Sequence, residues 1–194
     1  MKIILGTGNA DKLKEIVELC NLPIKFRLAS DFTQEQPEET GATLLENALQ
    51  KANYYHELTG MPTLSDDTGL FVEALGGRPG IHSARYAGEN ATYKTNRRKL
   101  QVELNGIENP IHAYFSTIVA YVTTLGKWTF EGRCDGIITI QEQGENGFGY
   151  DSMFIPNGFS KTFAEMTKEE KNRISHRSKA FEKFKSAFLN GAFN

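Results

Sequence analysis

Lys2-Ile3-Ile4-Leu5-Gly6-Thr7-Gly8-Asn9-Ala10-Asp11-Lys12 decides the fold. A short apolar run ends in a glycine-rich turn and passes straight into residues of helical spacing, with Leu13, Ile16, Val17 and Cys20 on one face. Strand, turn and helix in that order predict a buried first strand over 2–6 and a helix over 11–20, the opening of an α/β fold. A second strand is expected over 24–29. Thr43 and Glu46 form a capping-box pattern that opens a long helix, with Leu45, Ala48, Leu49, Ala52 and Tyr55 on its apolar face and Gly60-Met61-Pro62 at its end. Residues 92–104 read as a helix. Three β-rich stretches over 113–124, 127–133 and 136–140 look like a meander. A further capping box at Thr167 and Glu170 precedes a last helix over 176–189 that buries Ala180, Phe181, Phe184, Ala187 and Phe188. The expected sheet is mixed, parallel early and antiparallel later, and flanked by helices.

Composition is that of an ordinary globular chain. Its 194 residues are 39% hydrophobic and 24% charged, enough for one domain or two closely associated lobes. No apolar run approaches membrane-spanning length and the N-terminus does not read as a signal peptide, so a cytoplasmic protein without a membrane partner is expected. Cys20 and Cys134 match no zinc or disulfide spacing. A formal net charge of -2 does not point to nucleic acid. The charge is nevertheless segregated: residues 31–50 carry Asp31, Glu35, Glu38, Glu39 and Glu46 with no Lys or Arg, whereas residues 161–185 are rich in Lys and Arg. A cation site facing a phosphate site produces such a pattern, and so do solvated helix faces.

The chemical groups cluster at predicted element ends. Thr7-Gly8-Asn9 and Lys12 stand where a strand's C-terminal end meets a helix N-terminus, the position at which open α/β sheets take anions. The P-loop and the dinucleotide fingerprint are both absent. Leu64-Ser65-Asp66-Asp67-Thr68-Gly69 places adjacent carboxylates after an apolar run. Mg²⁺ prefers hard oxygen ligands and is commonly held by one or two carboxylates plus substrate phosphates, although Asp, Thr and Gly also make ordinary surface turns. Lys51 follows Asn47 by one helical turn and reads equally as a surface lysine or a phosphate contact. Gly147-Phe148-Gly149-Tyr150-Asp151 offers an aromatic flanked by glycines, suited either to stacking on a planar base or to a tight packed loop. Lys171 and Ser175-His176-Arg177 gather donors at a helix start, where cations are unfavourable unless an anion or a carbonyl is present.

Taken in order, Thr-Gly-Asn-x-x-Lys at 7–12, Glu-Glu-Thr-Gly at 38–41, Ser-Asp-Asp-Thr-Gly at 65–69, Leu-Gly-Gly-Arg-Pro-Gly-Ile-His-Ser-Ala-Arg-Tyr-Ala-Gly at 75–88, Gly-Phe-Gly-Tyr-Asp at 147–151 and Glu-Glu-Lys-Asn-Arg-Ile-Ser-His-Arg at 169–177 closely resemble the inosine triphosphatase family. These are pyrophosphatases of non-canonical purine nucleoside triphosphates, and the resemblance spans nearly the whole chain. It implies a long mixed sheet dividing two lobes, an active-site cleft between them, and a homodimer. It implies that Thr7, Gly8, Asn9, Ala10, Asp11 and Lys12 contact phosphate, that Asp67 is the metal-associated general base, and that Thr68 touches substrate. Glu38 is the expected second carboxylate for Mg²⁺, with Glu39 and Asp66 left open. Phe148, Gly149, Tyr150, Asp151, Lys171, His176 and Arg177 resemble the nucleoside-binding residues, and Lys12 and Lys51 the groups that hold the leaving group. The implied reaction is attack at the α-phosphorus, releasing pyrophosphate from ITP, dITP or XTP. His82, Asn146 and Ser152 depart from the usual pattern without removing a charged group.

Overall fold

The computed structural model describes residues 1–193. Its elements run β1 (Lys2–Leu5), α1 (Ala10–Leu19), β2 (Lys25–Leu28), α2 (Leu44–Thr59), β3 (Thr63–Val72), β4 (Pro79–Gly80), α3 (Tyr93–Leu104), β5 (Ile111–Thr123), β6 (Gly126–Ile138), β7 (Phe154–Pro156), α4 (Lys168–Ile174) and α5 (His176–Leu189). The strands form one seven-stranded sheet in the order β2-β1-β3-β5-β6-β7, with β4 paired to β3. β1 runs parallel to both β2 and β3, while β4 and β7 are antiparallel to β3 and β6, so the expected mixed sheet is present.

By contacts the chain divides into two units, and neither is a continuous stretch of sequence. The first comprises Met1–Asp67, Thr117–Gly132 and the chain from Arg177 onward; the second comprises Thr68–Ser116 and Arg133–His176. In the first unit β5 is buried on both faces. Val119 and Tyr121 join Ile3, Leu5, Ile16, Leu64, Phe181 and Phe184, drawing in α1 and α5, whereas Ala120 and Val122 pack against Ala48 and Ala52 of α2. The period of two along a strand sends alternate residues to opposite layers, and a four-residue apolar run therefore marks a strand covered on both sides. In the second unit Leu100 and Leu104 of α3 pack with Leu70, Val72, Ile111, Ala113, Phe115, Phe154 and Phe163.

Three local expectations are corrected. The stretches over 127–133 and 136–140 are one continuous strand, β6. Gly136 does not end it: a Cβ there would press on the Ile155 carbonyl oxygen and come within 2.7 Å of the Phe154 ring, so this glycine lets β7 lie close. On α2, Leu45 is exposed and Leu44 and Asn47 are buried in its stead. The Thr43 hydroxyl still caps the helix by accepting from Glu46 N, and the Glu46 carboxylate turns back to Ala42 N. Finally, Asp66 and Asp67 lie within the ten-residue strand β3, not at a strand end. β1 pairs with β3 only through Thr63 and Leu64, and its last contact is Gly6 N to the Leu64 carbonyl. The acidic pair therefore begins where the neighbouring strand stops, which is the strand-end position read on β1 instead of β3.

Candidate active site

In the first unit, α1 begins from Asn9, whose side-chain oxygen accepts from Asp11 N at 3.0 Å and Lys12 N at 3.1 Å; Thr7 in turn accepts from Asn9 N at 3.2 Å. This cap occupies two amides of the helix start and fixes Lys12 on the first turn. Lys12 Nζ lies 3.1 Å from Asp66 Oδ2. Arg177, the second residue of α5, also reaches Asp66 at 3.7 Å and bonds to Glu15, one turn along α1 from Lys12. Asp66 is fully buried. Burial alone would raise its pKa, but Lys12, Arg177 and Lys51 outweigh that and hold the carboxyl well below the usual range.

Asp67 is next along the strand and is held differently. Its Oδ1 accepts from Lys51 Nζ at 3.1 Å and its Oδ2 from Asn47 Nδ2 at 3.4 Å. Burial raises its pKa, and the opposing pull of Lys51 and Lys12 does not cancel the rise, to which Glu39 adds. Two adjacent carboxylates are thus pushed in opposite directions: one is a fixed counter-ion and the other a better proton acceptor than an ordinary aspartate. Lys51 also donates to Glu39, and although burial opposes its charge, Asp67, Glu39 and Asp66 raise its pKa.

The loop that carries Glu39 is strapped to α2. Gly41 N donates to Asn47 Oδ1 at 2.8 Å, and Thr40 and Gln50 exchange bonds at 3.2 and 3.0 Å. Asn47, fully buried, thereby ties both this loop and Asp67 to one helix turn. Glu38 is exposed, whereas Glu39 takes part in the ionic contacts that reach Asp67. Among the described residues no group of three or more His, Cys, Asp or Glu side chains is arranged to hold a metal ion. Asp67 and Glu39 nonetheless offer hard oxygen donors on either side of one ammonium, which suits an ion that takes its other ligands from water and phosphate.

In the second unit, Gly147 has φ +72°, and a Cβ there would strike the Asp151 carboxylate, which accepts from Phe148 N at 2.9 Å and from Lys171 Nζ at 2.8 Å. Arg97 holds the same loop through the Gly149 carbonyl at 2.9 Å. Phe148 is half-buried with Lys171 5.3 Å from its ring centre. Tyr150 is buried and donates to the Ser83 carbonyl at 2.9 Å, so it braces the loop from beneath. His176 is buried and stacks on Phe115, ring centres 4.5 Å apart. Thr68, beside Asp67 in the chain, is partly exposed.

Lys12, Lys51, Asp66, Asp67 and Arg177 are therefore assembled in one unit, and Phe148, Asp151 and Lys171 in the other. Sequence reading passed over Glu15 and the bracing role of Asn47. The signal for Glu15 was its place three residues after Lys12, on the same helix face; Asn47 stands four before Lys51.

Fold and site together define an α/β protein in which basic residues converge on a buried aspartate pair. The Ham1 family profile matches residues 3–187, and the chain belongs to the Ham1 family. It is 48% identical over 193 residues to the dITP/XTP pyrophosphatase of Elusimicrobium minutum, covering 94% of this chain and 97% of that protein. The dITP/XTP pyrophosphatase of Haemophilus influenzae is 45% identical over 190 residues, covering 95% and 97%. Among solved structures, a HAM1 protein from Coxiella burnetii superposes with a TM-score of 0.90 at 36% identity, covering 98% of this chain and 99% of that one.

Proposed function

We infer that this protein is a dITP/XTP pyrophosphatase that hydrolyses non-canonical purine nucleoside triphosphates, ITP included, to the nucleoside monophosphate and pyrophosphate. The observation that carries the reading is the pair Asp66 and Asp67, one carboxylate locked by Lys12 and Arg177 and the other raised in proton affinity beside Lys51. The relatives that share this chain nearly end to end bear the name of that activity.

In this reading Asp67 accepts a proton from the attacking water and orients it toward the α-phosphorus. Lys12 and Lys51 hold the phosphate chain. Asp67 and Glu39 are the carboxylates that would hold Mg²⁺, which when bound neutralises charge on the phosphate oxygens. Phe148 and the loop to Asp151, with Lys171 and His176, serve the base. Inosine and xanthosine present O6 as an acceptor to donors, whereas the 6-amino group of adenine sets donor against donor. Each mismatch costs about 1–3 kcal/mol, so two give discrimination of roughly hundreds-fold. Arg177 carries a double assignment, since the resemblance implies a base contact while its charge also holds Asp66. A homodimer acting on free nucleotides in the cytoplasm completes the reading, and among the described residues no helix is long and apolar enough to cross a membrane.

The test is pyrophosphate release from ITP, dITP, XTP, ATP and GTP with and without Mg²⁺, together with sedimentation for the dimer. Much faster turnover of the first three, dependent on Mg²⁺, is the expected result. Equal rates on all purines, or orthophosphate as the direct product, would overturn it.

A further inference from the structure

Lys51 has its ammonium between two carboxylates that come from different parts of the chain. It lies 3.1 Å from Asp67 Oδ1 on β3 and donates to Glu39 from the loop before α2. Both partners are held in place. Asn47 bonds to Asp67 and, through Gly41 N, to the Glu39 loop, and the Thr40–Gln50 exchange adds a second strap. Lys51 sits one turn along the same helix, with 12% of its side chain exposed.

Two carboxylates converging in a poorly hydrated place repel one another unless a cation stands with them. Lys51 supplies that charge. A divalent ion liganded by Asp67 and Glu39 would compete with Lys51 for the same two carboxylates, and an ammonium packed against a divalent ion in a poorly hydrated place is strongly repelled.

The geometry points to Lys51 as an internal substitute for the metal, an ammonium that keeps Asp67 and Glu39 together and must leave them when a divalent cation arrives. The inference rests on the metal reading above. It makes metal entry and movement of Lys51 one event: the departing ammonium loses its anionic partners and regains one when a phosphate is present. In the absence of nucleotide the ion competes with Lys51, so the resting protein binds metal weakly, and charge reaches the carboxylates in strength only together with substrate.

Two measurements without nucleotide test this. The first is Mn²⁺ binding, followed by electron paramagnetic resonance of the free ion. Lys51→Met is expected to bind Mn²⁺ at least about tenfold more tightly than the unaltered protein, and Lys51→Arg within about threefold of it. Lys12→Met removes a neighbouring cation that is bonded to Asp66 and to neither Asp67 nor Glu39, so a change of less than about threefold separates displacement from a general field effect. Unchanged or weaker binding by Lys51→Met, or an equal gain in Lys12→Met, would overturn the inference. The second measurement needs no variant: acetylation of Lys51 by an N-hydroxysuccinimide ester, mapped by mass spectrometry, should rise several-fold when MgCl₂ is added. Unaltered labelling at saturating MgCl₂ would also overturn it. Asp67→Asn distinguishes the two levels. Full Mn²⁺ affinity in that variant defeats the metal reading itself, whereas lost affinity with static Lys51 labelling in the unaltered protein defeats only the substitution.

Discussion

Replacing Asp66 by asparagine removes one charge from a fully buried position while keeping nearly the same shape. Its Oδ2 lies 3.1 Å from Lys12 Nζ and 3.7 Å from Arg177 Nη2. Breaking a buried ion pair from one side costs about 3–5 kcal/mol, because the opposite charge is left buried without compensation. Glu15 still faces Arg177 and the amide retains a dipole, so the low end, about 3 kcal/mol, is the expected loss. For a chain of this size that lowers the melting temperature by roughly 6–12 °C. The pH dependence carries the mechanism. Asp66 has its folded pKa depressed, so its contribution is fully present above the unfolded aspartate pKa of about 3.9 and is lost as pH falls through the folded value. The difference between the two proteins should be constant from pH 7 to 5 and shrink by about 1.4 kcal/mol per unit below about pH 4. Urea unfolding followed by circular dichroism at pH 7, 5, 4 and 3, with a thermal melt at pH 7, measures both quantities. A melting temperature within about 2 °C of the unaltered protein at pH 7, or a gap unchanged at pH 3, would refute the reasoning.

Asp67→Asn should lower kcat by about 10²–10⁴ with no loss of thermal stability, since burial already disfavours the charge being removed; turnover within tenfold of normal would contradict its role as base. Burial pushes the Cys20 thiol up to about 11, ahead of the opposing pull of Lys185, so at pH 8 only about one molecule in 10³ carries the thiolate. Iodoacetamide should therefore modify Cys20 at least about a hundredfold more slowly in the folded protein than in urea, as read by peptide mass spectrometry, and equal rates would contradict its burial. Gly136→Ala forces a methyl group against β7 and should cost about 1–3 kcal/mol in urea unfolding; a neutral effect would mean that β6 and β7 can part without penalty.

Local rules were legible where local chemistry decides. Thr43 and Thr167 cap the helices that follow them, as their capping boxes predict, and the α/β alternation survives intact. Reading failed where a neighbour distant in sequence decides. Gly136 looks like a strand break until β7 is beside it. Leu45 and Leu44 are equal candidates for the inner face of α2, and only the position of β5 against Ala48 and Ala52 chooses between them. The same holds at the site. Lys12 and Asp67 stand in motifs, whereas Glu39 and Glu38 are chemically identical neighbours that only the ionic contact of Glu39 with Lys51 tells apart. Glu15 carried no motif at all, because its partner Arg177 lies at the other end of the chain.

That last separation has a consequence for how the chain is made. Ile3 and Leu5 share a core with Phe181 and Phe184, so segments made far apart in time belong to one cooperative unit. The second unit is complete in sequence at His176, while the first still lacks α5, and with it the Arg177 that shares Asp66 with Lys12. Closing such long loops is slow relative to forming local contacts. A chain cut short before α5 would thus have β1, β3 and β5 synthesised but their apolar face uncovered, an intermediate of the sort that proteases and chaperones remove.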